Sequence, residues 1–439
     1  MKRLRVLVLV HPDLIPPESS KGYTEQEKNV WKTEYDVVST LRAAGHEVRP
    51  LGVHDELKPI RDDIEAWKPD VVFTLLEQFH GEAVYDQNVV SYLELLRVPY
   101  TGCNPRGLML ARGKDLSKTL VQYHRVPVPD FAVFPMHRKV KRPARLALPL
   151  IVKSVNEDAS YGISQASVVD SDDKLVERVK FIHERIGTAA IAEQYIEGRE
   201  IYVGILGNDR LVVLPVWELQ FKNMPQGDWL IATEKVKHDT GYQERRGILH
   251  GPAKDLTPEL AAHIQRLAKR IYRTLELDGY ARVDFRLAAD GTPYFLEANP
   301  NPEIAESEEF ATAARHVGIG YPDLLQRIVA LAMRRRGATS MVAAEAATVP
   351  SALMRSYAAP DRRAACARPC VLNHALRARY ASPRGELRHS RNSWKSRPLS
   401  ASLLAWDRRL VTIATNNHRH GFRPTGGVVP AKCNRPVAK

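Results

Sequence analysis

From Tyr280 to Asn299 the chain reads YARVDFRLAADGTPYFLEAN, two strand patterns separated by Asp290-Gly291. An Asp-Gly pair between such patterns is a strong hairpin signal, so the two stretches pair with each other. With Asp290-Gly291 as a two-residue loop, Asp284 faces Glu297 and Arg282 faces Asn299. Side chains alternate across a strand, which puts these four on one face. The other face carries Val283, Phe285, Leu287, Tyr294, Leu296 and Ala298 and is fit for a core. Two carboxylates opposite each other repel, so positive charge has to sit between them. Arg282 or Arg286 supplies it if this is an ordinary salt-bridged sheet face. The other candidate is Mg²⁺, which takes oxygen ligands, commonly one or two carboxylates plus phosphates. Asp284, Glu297 and Asn299 offer oxygen only, which disfavours zinc.

The first third alternates strand and helix patterns. RLRVLVLV is a continuous apolar run, and the later segments TEYDVVSTLRAAGHEV, DDIEAWKPDVVFTLL and NVVSYLELLRVPYTG each read as helix then strand start. Such alternation predicts a doubly wound parallel sheet with ligands beyond its carboxyl ends. From about Ala111 the pattern changes to a basic helix, then strands and helices of mixed order. The polar stretch from Gln220 to Gly251 has little periodicity, and a loop of that length is commonly functional.

Charge divides the chain. Residues 337–439 hold 18 Lys+Arg against 4 Asp+Glu, whereas residues 1–336 hold 46 against 47. The tail composition predicts disorder. Its Arg content raises nucleic-acid binding as an alternative, but it has no recognisable binding motif. Cys103 is the lone cysteine of the body, so no disulfide framework is expected, which suits a cytoplasmic protein. No apolar run approaches a membrane span.

Several residues outside the hairpin suit a phosphate-bearing ligand. Lys114 opens a helix, and Lys153 lies in the apolar strand LPLIVKSV, where a lysine is costly unless it reaches a partner. NEDASYG offers small residues and a glycine whose backbone N–H groups could cover phosphates. EQYIEGREI puts Glu193 at the end of an apolar strand and Glu200 beyond a glycine turn. Taken alone, each of these is ordinary surface or turn chemistry.

In order, the segments LLRVPYTGCNPRGLMLARGKDLSKTL, LPLIVKSVNEDASYGIS, EQYIEGREI, GYARVDF and FLEANPNPEI resemble the ATP-grasp enzymes, and within them the D-alanine–D-alanine ligases. The resemblance covers about residues 1–336. It implies an α/β ATP-grasp fold: an N-terminal Rossmann-like domain (1–110), then two α+β subdomains that clamp ATP (111–190 and 191–336). It implies that Lys114 and Lys153 contact ATP phosphates, with Ser160 and Gly162 in the phosphate-covering loop. Glu193 and Ile196 match the adenine-reading strand, Glu200 the ribose carboxylate, and Lys235 a phosphate-contacting lysine of a mobile lid. Asp284, Glu297 and Asn299 match ligands of two Mg²⁺ ions, with Mn²⁺ as a substitute, and Arg282 the arginine beside the transferred phosphoryl group. The implied reaction joins a carboxylate to an amine through an acyl phosphate, with small amino-acid or peptide substrates. The family often forms homodimers.

Three departures fall on the substrate side. HPDLIPPESS replaces a glycine-rich loop and the glutamate after it, for which Glu34 is the stand-in. DASYG replaces a glycine and two serines. Pro302 is followed by Glu303 where the ligases have glycine. The resemblance therefore implies ATP and Mg²⁺ use, with D-alanine as the first substrate to test and another amino acid or peptide as the alternative.

Overall fold

The computed structural model describes residues 2–157 and 160–347. Beyond residue 347, the expected disordered and nucleic-acid-binding tail lies outside the described residues. Twelve strands form three sheets among the described residues. Strands β1 (Arg5–Val10), β2 (Glu47–Gly52) and β3 (Val71–Thr74) are parallel in the order β2-β1-β3. All but the first residue of β1 are buried, as its unbroken apolar run requires of a strand covered on both faces. A four-stranded antiparallel sheet contains β4 (Phe131–Phe134), β5 (Leu150–Ser154), β6 (Val168–Val169) and β7 (Ala190–Gln194) in the order β4-β7-β5-β6. A five-stranded sheet contains β8 (Arg199–Leu206), β9 (Val212–Phe221), β10 (Ile248–Pro252), β11 (Tyr280–Leu287) and β12 (Pro293–Pro300) in the order β10-β9-β8-β11-β12.

Core packing divides the body differently from chain order. One face of the five-stranded sheet (Val203, Val283, Phe285) shares a core with Leu93, Tyr100 and Leu108, residues from the first third. The opposite face (Tyr202, Trp217, Tyr280) shares a second core with Val6 and Val8 of β1 and Leu324 and Ile328 of the last helix. The four-stranded sheet has a core of its own around Val152, Val179 and Ala192. The first and last regions are thus welded, and the middle sheet stands apart. β7 crosses the boundary expected after residue 190, and the helix Tyr321–Ala347 crosses the one expected after residue 336.

Register at the β11–β12 hairpin agrees with expectation at one end and departs from it at the other. Arg282 pairs with Asn299 and Asp284 with Glu297. Nearer the turn the pairing is displaced by one residue, with Phe285 opposite Phe295 and Leu287 opposite Pro293. The loop is Ala289–Gly291, not the two-residue Asp290-Gly291 turn, since Ala288 donates to the Thr292 carbonyl at 3.0 Å. Gly291, at φ +84°, takes the left-handed position that ends a three-residue loop of this kind. A bulge between Asp284 and Phe285 cancels the offset. In consequence Phe295, not Tyr294 or Leu296, is the fully buried residue of β12. Tyr294 and Leu296 are half-buried.

A tight backbone crossing fixes the first sheet to this hairpin. The Cys103 amide donates to Asn301 Oδ1 at 2.7 Å, and the Asn104 amide to Asp278 Oδ1 at 2.7 Å. Arg335 of the last helix donates to the carbonyls of Tyr100 and Gly102 and pairs with Asp278 at 2.7 Å. Gly279 sits at φ +69°, and a Cβ there would lie 2.5 Å from the Gly102 carbonyl oxygen. Both strain and collision oppose any side chain at this position. Gly279→Ala is expected to destabilise the fold by about 2 kcal/mol or more, read by urea denaturation.

Candidate active site

A cavity lies between the four-stranded and five-stranded sheets. Ile151, Ile163, Ile196, Ile231 and Leu296 make one part of its wall apolar, while Lys153, Glu193, Glu200, Lys237, Asp284 and Glu297 make the other charged. The one-residue shift in β12 explains Leu296, which lines this cavity and not the core.

At the charged end, Asp284 and Glu297 stand opposite each other as the register requires. Arg282 clamps Asp284 with two hydrogen bonds of 2.8 and 2.9 Å and lies 4.7 Å above the Tyr202 ring. Asn299 Nδ2 donates to Asp284 Oδ2 at 2.9 Å, which leaves its amide oxygen as the available acceptor. Lys114 Nζ is 3.5 Å from Glu297 and 2.6 Å from the Glu157 carbonyl. Burial raises the Glu297 pKa, but Lys114, Lys153, Lys237 and Arg282 outweigh it and hold the carboxyl well below the usual range. At Asp284 burial wins over Arg282, and its carboxyl is raised. Among the described residues, no three His, Cys, Asp or Glu side chains are grouped as a metal site. The donor set here is two carboxylates and one amide oxygen. That fits Mg²⁺, which keeps waters and phosphates as its other ligands.

Toward the apolar end lies Glu193, fully buried between two lysines. Lys153 is 3.2 Å from one carboxylate oxygen and Lys118 3.2 Å from the other. Both ammonium groups are at ion-pair distance, yet neither oxygen has a well-directed hydrogen-bond donor among the described residues. This pair of buried acceptors suits the amino group of an adenine. Burial raises the Glu193 pKa, and the two lysines more than offset that, so it lies below the ordinary value. Burial, with Lys153 across the same carboxylate, brings Lys118 down to about 8. Further along, Glu200 accepts from the Tyr202 hydroxyl at 3.0 Å and from Arg286 at 3.2 Å.

The segment between β9 and β10 is not irregular throughout, for it contains the helices Glu234–His238 and Thr240–Arg246. It closes over the cavity through specific contacts. Gln165 and Trp229 exchange two hydrogen bonds of 2.8 and 3.0 Å, Trp229 meets the Tyr195 ring, and Arg286 donates to the Leu230 carbonyl. The Glu234 amide donates to the Ile163 carbonyl at 3.1 Å, which joins this segment to the 160–163 turn.

Of the residues singled out in the sequence, Lys153, Ser160, Glu193, Ile196, Glu200, Asp284 and Glu297 line the cavity. Lys114, Arg282 and Asn299 touch its acidic pair. Gly162 does not line it. Its φ of +70° shapes the turn, and its carbonyl accepts from Arg178. Lys235 is exposed, and Lys237 lines the cavity in its place. The two are 200° apart around a helix, so when one faces the cavity the other faces away. Lys118 was not singled out. Its signal was a spacing of four from Lys114, which puts both on one helix face.

On the far side of the acidic pair, Thr33 donates to Glu303 at 3.0 Å. The neighbouring Glu34 is 6 % exposed. Burial, with Glu77 and Glu303 nearby, pushes its pKa up to about 7. Glu303 is pushed the same way, by burial and then Glu308, but it stays open to solvent, where water screens the effect.

This clamp of two antiparallel sheets about a charged cavity, behind a parallel-sheet domain, is the ATP-grasp fold of an ATP-dependent ligase. Residues 120–330 match the family described as D-ala D-ala ligase C-terminus. The D-alanine–D-alanine ligase of Aquifex aeolicus is 30% identical over 70% of this chain and 97% of its own length. An uncharacterized protein, y4sG, of Sinorhizobium fredii is 32% identical over 68% of this chain and 87% of its own. The crystal structure of the D-alanine–D-alanine ligase from Bacillus anthracis complexed with ATP superposes with a TM-score of 0.59 at 21% identity, covering 76% of this chain and 99% of that one. The chain belongs to the D-alanine–D-alanine ligase family and is an enzyme that forms an amide bond at the expense of ATP. No described helix is long and apolar enough to cross a membrane.

Glu34 gives a pH-dependent signature. Its folded pKa of about 7 lies above the unfolded value, so the native state holds a proton that the unfolded chain releases between the two. Its contribution to stability is therefore lost as pH rises through 7. Glu34→Gln is expected to stabilise the protein by roughly 2 kcal/mol at pH 8, with the gain vanishing near pH 4.5, in paired urea titrations.

Proposed function

We propose that this enzyme is an ATP- and Mg²⁺-dependent carboxylate–amine ligase for amino-acid or peptide substrates, working through an acyl phosphate, with D-alanine as the leading substrate. The observation that carries this reading is the charge around Glu297. Four cations, Lys114, Lys153, Lys237 and Arg282, act on it, while the other carboxylates at the cavity wall are Asp284, Glu193, which also pairs with Lys118, and Glu200, which pairs with Arg286. With Glu193 and Glu200 matched by Lys118 and Arg286, the four cations outnumber Asp284, Glu297 and Glu309 at this end of the cavity, and a triphosphate has the charge to meet them.

In this reading the base lies against Ile196 and Leu296 with its amino group on Glu193, and Glu200 holds the ribose. Lys114, Lys153 and Lys237 neutralise the phosphates, and the Ser160–Gly162 turn covers them. Asp284, Glu297 and Asn299 would hold Mg²⁺, which when bound draws charge from the phosphate oxygens. A substrate carboxylate oxygen attacks the γ-phosphorus and ADP leaves. An amine nitrogen then attacks the acyl carbon and phosphate leaves. Arg282 faces the developing charge, so the residues contribute chiefly by positioning and neutralisation. The 220–251 segment, clasped at Trp229 and Leu230, keeps water from the acyl phosphate. Glu34 and Glu303 stand on the substrate side, where the family's own pattern is altered.

Phosphate release from ATP and Mg²⁺ is expected to rise on adding D-alanine within a panel of D- and L-amino acids. No stimulation by any of them would sink the amino-acid reading. Glu297→Ala should abolish turnover and leave the circular-dichroism spectrum unchanged. The two nearby lysines should separate cleanly. Lys237→Ala is expected to lower kcat/KM by about 100-fold, whereas Lys235→Ala stays within about twofold because an exposed charge far from the ligand is screened.

A further inference from the structure

Lys118 has no surface at all. Its side chain is 0% exposed, and its ammonium rests 2.6 Å from the Leu296 carbonyl, 3.3 Å from the Phe295 carbonyl and 3.2 Å from Glu193. It lines no part of the cavity. A buried ammonium is costly, and an apolar residue of the same length would remove that cost. Structure alone therefore gives a weak account of it.

The chemistry of Glu193 gives a stronger one. An ionised carboxylate is an acceptor only, whereas a protonated one also donates. A carboxyl buried this deeply would take up a proton unless countercharge prevented it. The charged groups facing it are Lys118 from the helix Lys114–Tyr123 and Lys153 from β5, with Glu297 of β12 acting on Lys118 from farther away. Lys153 also borders the cavity and faces Glu297, so it is shared with the phosphate end. Lys118 has no such second duty.

We propose that Lys118 is a positioning residue for base selection: by keeping Glu193 ionised and fixed beside β12, it makes the site accept a purine with a 6-amino group and refuse one with a 6-oxo group. This rests on reading the cavity as an ATP site. A 6-amino group donates to the carboxylate. A 6-oxo group presents a second acceptor, which an ionised Glu193 repels and a protonated one would meet with a donor. Lys118 thus acts through Glu193 and never meets the ligand.

Calorimetric binding of ATP and ITP, with Mg²⁺ present and no second substrate, tests this. The wild type should prefer ATP by about tenfold or more, with a ratio that stays flat from pH 8 to pH 6. Lys118→Gln keeps a neutral donor on a side chain one atom shorter and removes the charge. Its ATP-to-ITP ratio should fall at least about fivefold and fall further toward pH 6, while its melting temperature stays close to wild type. Lys118→Met should give the same loss of selectivity. A variant that weakens both nucleotides equally, leaving the ratio unchanged, has a structural role only and overturns the proposal. Should neither variant fold, the wild type still decides: equal affinity for the two nucleotides, or a preference that collapses by pH 6, overturns it. Strong ATP binding with an unchanged ratio in the variants leaves the ligase reading intact, whereas a wild type that binds neither nucleotide ends both.

Discussion

Repulsion between two carboxylates organises this enzyme. The pairing of β11 with β12 sets Asp284 against Glu297, an arrangement that a free sheet would avoid. Four of the cations near the cavity answer to it. Arg282 clamps Asp284 from its own strand, Lys114 approaches Glu297 from a helix, and Lys153 and Lys237 act on it from the opposite sheet and the covering segment. The acidic pair thus gathers four separate parts of the chain. Their four positive charges outnumber the two negative charges of the pair.

Holding such a pair in place takes a rigid base. The five-stranded sheet is gripped on both faces, by two cores that each recruit residues from the first third of the chain. The four-stranded sheet keeps its own core and meets the rest across the ligand cavity. A fixed floor and a separately packed roof allow the gap between them to change without disturbing the acidic pair. Contacts across that gap include the Gln165–Trp229 hydrogen bonds and the Tyr195–Trp229 ring contact.

Legibility of the sequence followed periodicity. The alternation of β11 and β12 put Arg282 with Asp284 and Glu297 with Asn299, while the face the two pairs share was right because the bulge restores the register expected of a two-residue turn. Turn length was less legible. Asp290-Gly291 suits a two-residue turn and the last part of a three-residue one equally well, and the bulge that reconciles the latter has no sequence mark of its own. The same limit put Lys235 in place of Lys237. In a five-residue helix within a polar stretch, the one apolar residue, Val236, lies midway between the two lysines and does not mark which turns inward. Lys118 was hidden for a different reason. A lysine on a basic helix reads as solvated until its neighbours in space are known, and here they come from β7 and β12.

The bulge between Asp284 and Phe285 has a further consequence. It takes up a one-residue offset between the turn and the acidic pair, so the two ends of the hairpin are mechanically uncoupled. A bulge beside the acidic pair absorbs the offset of the three-residue turn before it reaches the chemistry. Drift at the tip of the hairpin would then be expected to leave catalysis untouched, whereas loss of the bulge itself would rotate one carboxylate out of the cavity and into the apolar core.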